Sequence, residues 1–154
     1  MGTMVAEMAL APVRLVEDPY KRVLRLQEEA HGWEVKAHRA VLEARKFEAR
    51  AARLALKEKR LRGKASARTA RSQTIGERAV MMLHDVDAFD KEMKVQKSHQ
   101  LTFEAEALRA RAEAIDSEAE QLRIAAREKL TESVKFQSEA KRTHLEAEAA
   151  KTLL

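Results

Sequence analysis

Glu28 and His31 have the spacing best suited to metal chemistry in this sequence. An acid and a histidine three residues apart on a helix can serve a helical di-iron centre, but such a centre needs two of these pairs and further inward carboxylates. The other histidines, at positions 38, 84, 99 and 144, do not follow an acid by three residues, and no two histidines lie four apart. The ligand count therefore predicts no metal site.

Other residue types that carry chemistry also lack the partners they need. Asp85, Asp87 and Asp90 have neither the glycine nor the distal glutamate of a calcium loop, and they fall on a predicted helix, which indicates a solvated face. The four glycines are scattered singly, so no glycine-rich phosphate loop is present. Catalysis by serine, histidine and aspartate needs a concave, rigidly supported pocket. We therefore predict no catalytic residue and no cofactor, and a protein that is not an enzyme.

A concentration of basic residues is the strongest candidate for binding. Phosphate contact by this cluster would be non-specific and salt-sensitive, because no aromatic side chain is present in the stretch to stack on a base. A hydrated surface is the first interpretation, docking to an acidic protein surface the second, and nucleic acid the third. The candidate partner-binding residues are Lys57, Lys59, Arg60, Arg62, Lys64, Arg68 and Arg71.

The composition indicates which elements must position these residues. Aromatic residues are 4% and charged residues 36% of the 154 residues, with only four glycines and two prolines to build turns. That balance is typical of long helices and disfavours a sheet protein. The absence of cysteine excludes disulfides and is compatible with a reducing compartment. We expect neither a signal peptide nor a membrane span, because no apolar run is long enough.

The first helix is predicted over residues 19–62, after an N-terminal extension at 1–18. Asp18 can cap this helix and Pro19 can occupy its first turn. The positions that follow alternate three and four residues apart and are apolar except for Glu58, a period that predicts a left-handed coiled coil. This seam is Val23, Leu26, Ala30, Trp33, Ala37, Ala40, Ala44, Phe47, Ala51, Leu54, Glu58 and Leu61.

A basic hinge is predicted at 63–73 and a second long helix at 74–154. Gly63 is suited to a helix C-cap, and Thr74 with Glu77 has the spacing of a capping box. The new seam runs Ile75, Ala79, Met82, Val86, Phe89 and Met93, loses phase over residues 94–100, and restarts at Leu101. Either the second helix is continuous and changes its face, or a break near 94–100 creates a third helical segment. Continuity is favoured because no glycine or proline marks a turn there.

The two seams predict an all-α, elongated, antiparallel coiled-coil hairpin. Alanine recurs at one position of each heptad and large residues at the other, which suits closely packed helices. Because the second helix is predicted to be longer, the part beyond Leu122 has no partner within the chain, and its seam is expected to meet another molecule. The predicted seam-packing residues are Leu26, Trp33, Ala44, Phe47, Leu54, Leu108, Ala112, Ile115 and Leu122.

The layout of the chain resembles one known family. The helix opening Pro19-Tyr-Lys-Arg-Val-Leu-Arg-Leu-Gln-Glu-Glu-Ala30, the polar hinge and the longer charged return helix are similar to those of the FliJ/YscO family of type III secretion stalk proteins. The resemblance implies a hairpin that enters a hexameric export ATPase ring and links it to the export gate. It also implies a cytoplasmic protein, or one peripheral to a membrane-bound assembly. No functional residue is carried over.

A structural subunit of a larger assembly, such as a virion core or filament, is the alternative. In that case the chain would self-associate through its C-terminal helix, and light scattering would find rings or higher bundles. A stalk would be a monomer or a small oligomer. Both interpretations rest on protein partners bound through coiled-coil faces, and the sequence leaves both open.

Overall fold

Two long helices make up the fold in a computed structural model that describes residues 17–81 and 88–154. Helix α1 spans Pro19–Met81, with 63 residues, and α2 spans Ala88–Thr152, with 65 residues. The two helices pack against each other, and the described ranges contain no strand. The predictions of an all-α chain and of two packed helices are therefore confirmed. The N-terminal residues 1–16 and the predicted seam residues Met82 and Val86 lie outside the described residues.

Helix α1 begins as the sequence predicts. The Tyr20 amide donates to the Asp18 side chain at 3.1 Å, and the Arg22 amide donates to the Asp18 carbonyl at 2.9 Å. Pro19 occupies the first helical position, where its missing N–H removes no intrahelical bond. The prediction that Asp18 caps this helix is confirmed.

The predicted hinge at 63–73 is wrong, because α1 continues through it to Met81. Gly63 is helical without a positive φ, and no atom lies within 4 Å of the point where a Cβ would stand, so this glycine costs only about 1 kcal/mol relative to alanine. Thr74 does not open a helix, since its hydroxyl donates to the Ala70 carbonyl one turn earlier at 3.0 Å. The inward residues of α1 also keep their three-four spacing beyond Leu61. They continue through Ala65, Arg68, Ser72, Ile75 and Ala79.

Helix α2 begins at Ala88 rather than at residue 74 and is continuous across 94–100. The prediction that Phe89 and Met93 belong to a seam is wrong, because their exposed fractions are 63% and 51%. Half-buried Lys91, Lys94 and Ser98 hold the inward positions instead, in phase with buried Leu101. The loss of phase in the sequence therefore accompanies a change of helix and does not create a third segment.

The chain divides into two units, each formed by parts of both helices. The terminal unit comprises Met1–Ala44 and Arg127–Leu154, and the central unit comprises Arg45–Ala126. The seam alanines are the most completely buried residues, with Ala30 and Ala44 in the terminal unit and Ala112 in the central unit all at 0% exposure. Because alanine adds little bulk, the two helix backbones in each unit can approach closely.

The expectation that α2 is unpartnered beyond Leu122 is wrong. In the terminal unit, Val23 and Leu26 of α1 form a buried cluster with Ala147 and Ala150 of α2. The pairing of early α1 residues with late α2 residues makes the two helices antiparallel in this unit. The C-terminal seam is thus covered within the chain itself.

The predicted seam-packing residues all face inward. Three are buried: Leu26 at 3% exposure, Ala44 at 0% and Ala112 at 0%. The other six, all bulky, are half-buried, because a large side chain on a pair of helices keeps part of its surface in contact with water. These half-buried residues are Trp33, Phe47, Leu54, Leu108, Ile115 and Leu122.

Candidate partner-binding surface

A row of basic residues runs along one edge of α1 in the central unit. Its members are seven residues apart, and each immediately precedes an inward position of the helix. Seven residues are two helical turns, so successive charges lie on the same edge about 10 Å apart. The row is Arg50, Lys57, Lys64, Arg71 and Arg78.

Three further basic residues fill the gaps at one end of this row. Lys46, Arg53 and Arg60 alternate three and four residues from its members, and together the eight residues form what we call the basic stripe. All eight are exposed. In the part of the chain that the structure describes, no stripe residue forms an ion pair.

The seven predicted partner-binding residues do not share one surface. Lys57, Arg60, Lys64 and Arg71 belong to the basic stripe. Lys59 is exposed outside it, on the row that follows the inward positions by one residue. The remaining two residues are paired within the chain, so the predicted cluster is only partly free.

Arg62 and Arg68 are the two paired members of the predicted cluster. The Arg62 guanidinium lies 2.8 Å from Glu58, and this hydrogen bond raises the pKa of Arg62, with smaller contributions from the charges of Glu113 and Asp116. Arg68 is half-buried and lies 3.0 Å from Glu104 of α2, so it joins the two helices of the central unit. Neither arginine is available to a partner without losing a contact in the chain.

The sequence reasoning missed Lys46, Arg50, Arg53 and Arg78. A signal was present, because extending the heptad frame of Val23 to Leu61 by two further heptads aligns the five residues of the row. The predicted hinge concealed it by placing Lys64 and Arg71 outside any helix. The prediction relied on the density of basic residues along the chain. Which charges share a surface depends instead on the position of each residue around the helix.

An apolar outer row lies beside the basic stripe. Ala49, Leu56, Gly63 and Ala70 are spaced seven residues apart on the face of α1 opposite its seam. Leu56 is 59% exposed, and nothing lies within 4 Å of the space a side chain at Gly63 would occupy. Charged residues normally hold this outer position in a surface helix. The central unit therefore offers both charge and apolar area to a partner.

A hollow of about 350 Å³ adds two cations from α2 to this end of the surface. It is lined by Arg78 of the stripe, by Lys94 and Lys97, and by Met93 with the carboxylate of Asp90. The three cations outnumber the single acid. The positive field of the stripe therefore continues onto α2 at this point.

A hydroxyl cluster joins the two helices of the central unit, with Ser72 buried, Ser98 half-buried and Thr102 exposed. The Ser72 hydroxyl donates to the Ser98 carbonyl at 2.8 Å, and the Ser98 hydroxyl donates to the Ser72 carbonyl at 3.0 Å. Thr102 Oγ1 lies 2.8 Å from Ser72 Oγ. Ser72 is only 5% exposed, so its polar atom needs these partners. The cluster fixes the register of α2 against α1 in the central unit, and so fixes which residues of α2 lie beside the stripe.

The terminal unit contains a second group of ionisable residues. His144 Nε2 lies 2.6 Å from Glu34 Oε1, and His31 Nδ1 lies 3.9 Å from Glu34 Oε2. His144 and Glu34 border a hollow of about 480 Å³ with Val134 and Lys141. Within residues 17–81 and 88–154, no group of three or more potential ligands is placed to hold a metal ion.

Comparison with known proteins adds no relative to this picture. Family models, curated proteins and solved structures all give no match to the chain. Neither α1 nor α2 contains a stretch long and apolar enough to cross a lipid bilayer. Over residues 17–81 and 88–154, the fold and the surface define a pair of long helices with a basic, partly apolar face.

Proposed function

We propose that this chain is a non-enzymatic coiled-coil protein that acts as a stalk or adaptor and binds a protein partner through the basic stripe of its central unit. The stripe is the observation that supports this proposal most directly. Eight like charges on one face of a helix repel each other, and like-charge pairs at helical spacing are destabilising. A partner that supplies opposite charge removes this repulsion. The charge arrangement that destabilises the isolated helix therefore stabilises the complex.

The pairing of cations elsewhere in the chain supports the same proposal. In the terminal unit, Arg25, Lys129, Arg142 and Lys151 each lie 3.2 Å or less from a glutamate oxygen. Such exposed pairs contribute little stability individually. Their presence nevertheless contrasts with the stripe, where none of the eight cations forms an ion pair in the described chain.

The particular role we propose is that of a type III secretion stalk, with a hexameric export ATPase as partner. Its support is the resemblance of the helix opening at Pro19 and of the charged return helix to the FliJ/YscO family. Two helices of more than sixty residues, packed antiparallel in the terminal unit, suit a part that enters a ring. The protein would then be cytoplasmic or peripheral to a membrane-bound assembly.

Binding to a purified export ATPase tests this role by calorimetry. Wild-type chain is expected to bind, and the double variant Lys57→Glu with Lys64→Glu is expected to lose most of its affinity at low salt. The matched control is Lys21→Glu with Arg39→Glu, two exposed residues of α1 in the terminal unit that form no ion pair in the described chain. Equal affinity of all three proteins would exclude the stripe as the binding surface, and no binding of the wild type would exclude the ATPase as partner.

A structural subunit that self-associates is the second candidate function. The proposed route through an uncovered C-terminal seam has lost its basis, because that seam is buried within the terminal unit. A different observation favours self-association: α2 has a row of glutamates with the same spacing as the basic row of α1. Light scattering distinguishes the two functions, since a stalk stays small and a subunit forms larger assemblies.

A further inference from the structure

The glutamate row lies on the outer side of α2 in the central unit. Each of its members follows an inward position of α2 by one residue, and the spacing is seven residues, with His99 filling the one gap. All are exposed, and Glu92, Glu106 and Glu113 form no ion pair in the described ranges. Glu120 is paired with Arg123 at 3.1 Å. The glutamate row is Glu92, Glu106, Glu113 and Glu120.

The charges of the two helices are opposite in the central unit. Residues 45–81 of α1 contain twelve basic and three acidic residues, whereas residues 88–126 of α2 contain six basic and eight acidic residues. The basic row and the glutamate row both repeat every seven residues. Two helices with the same repeat can keep their charges matched along their whole contact, which a partner of another period cannot do.

A second outer row, apolar except for Ser117, accompanies the glutamates, as the first outer row accompanies the basic stripe. Phe103, Ala110, Ser117 and Ile124 are spaced seven residues apart on the outer face of α2. Phe103 is 72% exposed and Ile124 is 45% exposed. Exposed large apolar side chains beside a charged row are typical of an interaction surface. This row and the outer row of α1 have the same length of three heptads.

We infer that the basic stripe of one copy binds the glutamate row of a second copy of this chain. With the two contacting helices parallel, Arg50 lies beside Glu106, Lys57 beside Glu113 and Lys64 beside Glu120. The apolar rows then match in size, because each large residue meets a small one. The pairs are Ala49 with Phe103, Leu56 with Ala110, Gly63 with Ser117, and Ala70 with Ile124.

This contact joins two different surfaces of the chain, so two copies do not form a closed dimer through it. Each copy at the end of such an assembly carries a basic stripe or a glutamate row that no other copy occupies, and a further copy can add there. Assembly size therefore rises with protein concentration. The contact uses the basic stripe that the stalk proposal assigns to the ATPase, so it rests on the second candidate function, a subunit that self-associates.

Light scattering of the full chain over a range of concentrations tests the inference. At low salt the mass of the wild type is expected to rise above the 17.5 kDa of one chain as the concentration rises. Added salt is expected to return it to the monomer mass, because exposed charges are screened. A wild type that stays monomeric at all concentrations and low salt overturns the inference.

Charge reversal and mixing make the test specific. Lys57→Glu with Lys64→Glu, and separately Glu106→Lys with Glu113→Lys, are each expected to remain monomeric while circular dichroism shows full helicity. In an equal mixture, the unchanged basic stripe of the second variant can bind the unchanged glutamate row of the first, so the mass is expected to rise to that of two chains. A mixture that stays monomeric overturns the inference. The control Lys21→Glu with Arg39→Glu is expected to associate like the wild type.

Nucleic acid and membrane lipids are the other occupants that a basic stripe can take. Anisotropy of a labelled DNA duplex and sedimentation with phosphatidylserine vesicles measure them directly. Association of the wild type without either probe, together with rescue in the mixture, supports the second copy. A wild type that is monomeric alone but binds either probe, and loses that binding in Lys57→Glu with Lys64→Glu, overturns it.

Discussion

The terminal and central units use the same pair of helices in different ways. In the terminal unit the ring centroids of Trp33 and Phe136 are 5.8 Å apart, and an apolar cluster lies at Val23 and Leu26. In the central unit the seam contains Arg68 and the hydroxyl cluster of Ser72. The terminal unit buries an apolar cluster, and its cross-helix contact of His144 with Glu34 is exposed, whereas the central unit places cross-helix hydrogen bonds in the seam itself.

This difference shows how one pair of long helices can combine stability with a fixed register of one helix against the other. Apolar contact is non-directional, so a row of alanines and leucines tolerates sliding by a heptad. Hydrogen bonds between Ser72 and Ser98 tolerate no such slide, because a displaced hydroxyl would be buried without a partner. The seam of the central unit is less apolar, but its directional hydrogen bonds fix the register of α2 against α1 beside the basic stripe.

Trp33→Ala should have the largest effect, and it should be confined to the terminal unit. The half-buried ring loses its contact with Phe136 and its contact with Lys36, whose Nζ lies 4.6 Å from the ring centroid. We expect a loss of about 2 to 3 kcal/mol in the free energy of unfolding, measured with urea by circular dichroism.

Trp33→Phe is the matched control for this substitution. It keeps a ring against Phe136 and removes Trp33 Nε1, which is buried and has no hydrogen-bond partner among the described residues. We expect a change smaller than about 1 kcal/mol. If the two variants unfold at the same urea concentration, the aromatic contact does not hold the terminal unit.

Overpacking the seam should have the next largest effect and should reach both units. Ala44→Leu in the terminal unit and Ala112→Leu in the central unit each insert a bulky side chain where the exposed fraction is 0%. We expect each to lower the free energy of unfolding by about 1 to 3 kcal/mol. Ala49→Leu, on the outer row, is the control and should have no such cost; unchanged melting of the seam variants would argue against close helix contact.

Ser72→Ala should have a smaller effect, limited to the central unit. Its loss leaves the Ser98 carbonyl and Thr102 hydroxyl with fewer partners, so we expect destabilisation of about 1 kcal/mol. Replacing Ser72, Ser98 and Thr102 together with Ala, Ala and Val should recover most of that loss. Hydrogen exchange locates the change, and faster exchange in the terminal unit instead would contradict the separation of the two units.

Glu17→Gln should have the smallest effect, visible only as a change in pH dependence. The hydrogen bond from Arg25 lowers the pKa of Glu17 below its ordinary value of 4.5. A lowered pKa in the folded chain means that this contact stabilises above the ordinary value and is lost as the pH falls through the lowered one. Glu17→Gln should therefore unfold with less acid dependence below the ordinary value, and an unchanged acid limb of the melting profile would contradict the contact.

Sequence reasoning succeeded where a residue acts through its own helix. The cap at Asp18 and the inward positions from Val23 to Leu61 follow from local spacing, and the structure places them as predicted. It failed at Gly63, where a local preference of about 1 kcal/mol was given more weight than an unbroken heptad frame. It failed again at Phe89, where apolar character was taken to mean burial.

The candidate surface was predicted only in part, because some of its residues take their role from contacts with the other helix. Lys57, Lys64 and Arg71 were identified from the density of charge, but Arg68 was counted with them although it pairs with Glu104 across the helices. Nothing in the local sequence of Arg68 indicates that acid, which is 36 residues away. The glutamate row was missed because its meaning depends on the basic row of the other helix.

The helical class, the start of α1 and the heptad frame were determined by the sequence alone, since each depends on residues within a few turns. The tertiary structure decided which positions meet, such as His144 with Glu34, 110 residues apart, and Ser72 with Ser98. The physical reason is that helix periodicity is a property of one helix. The alignment of two helices is chosen by the fit of large against small side chains and by polar groups that must find partners when buried.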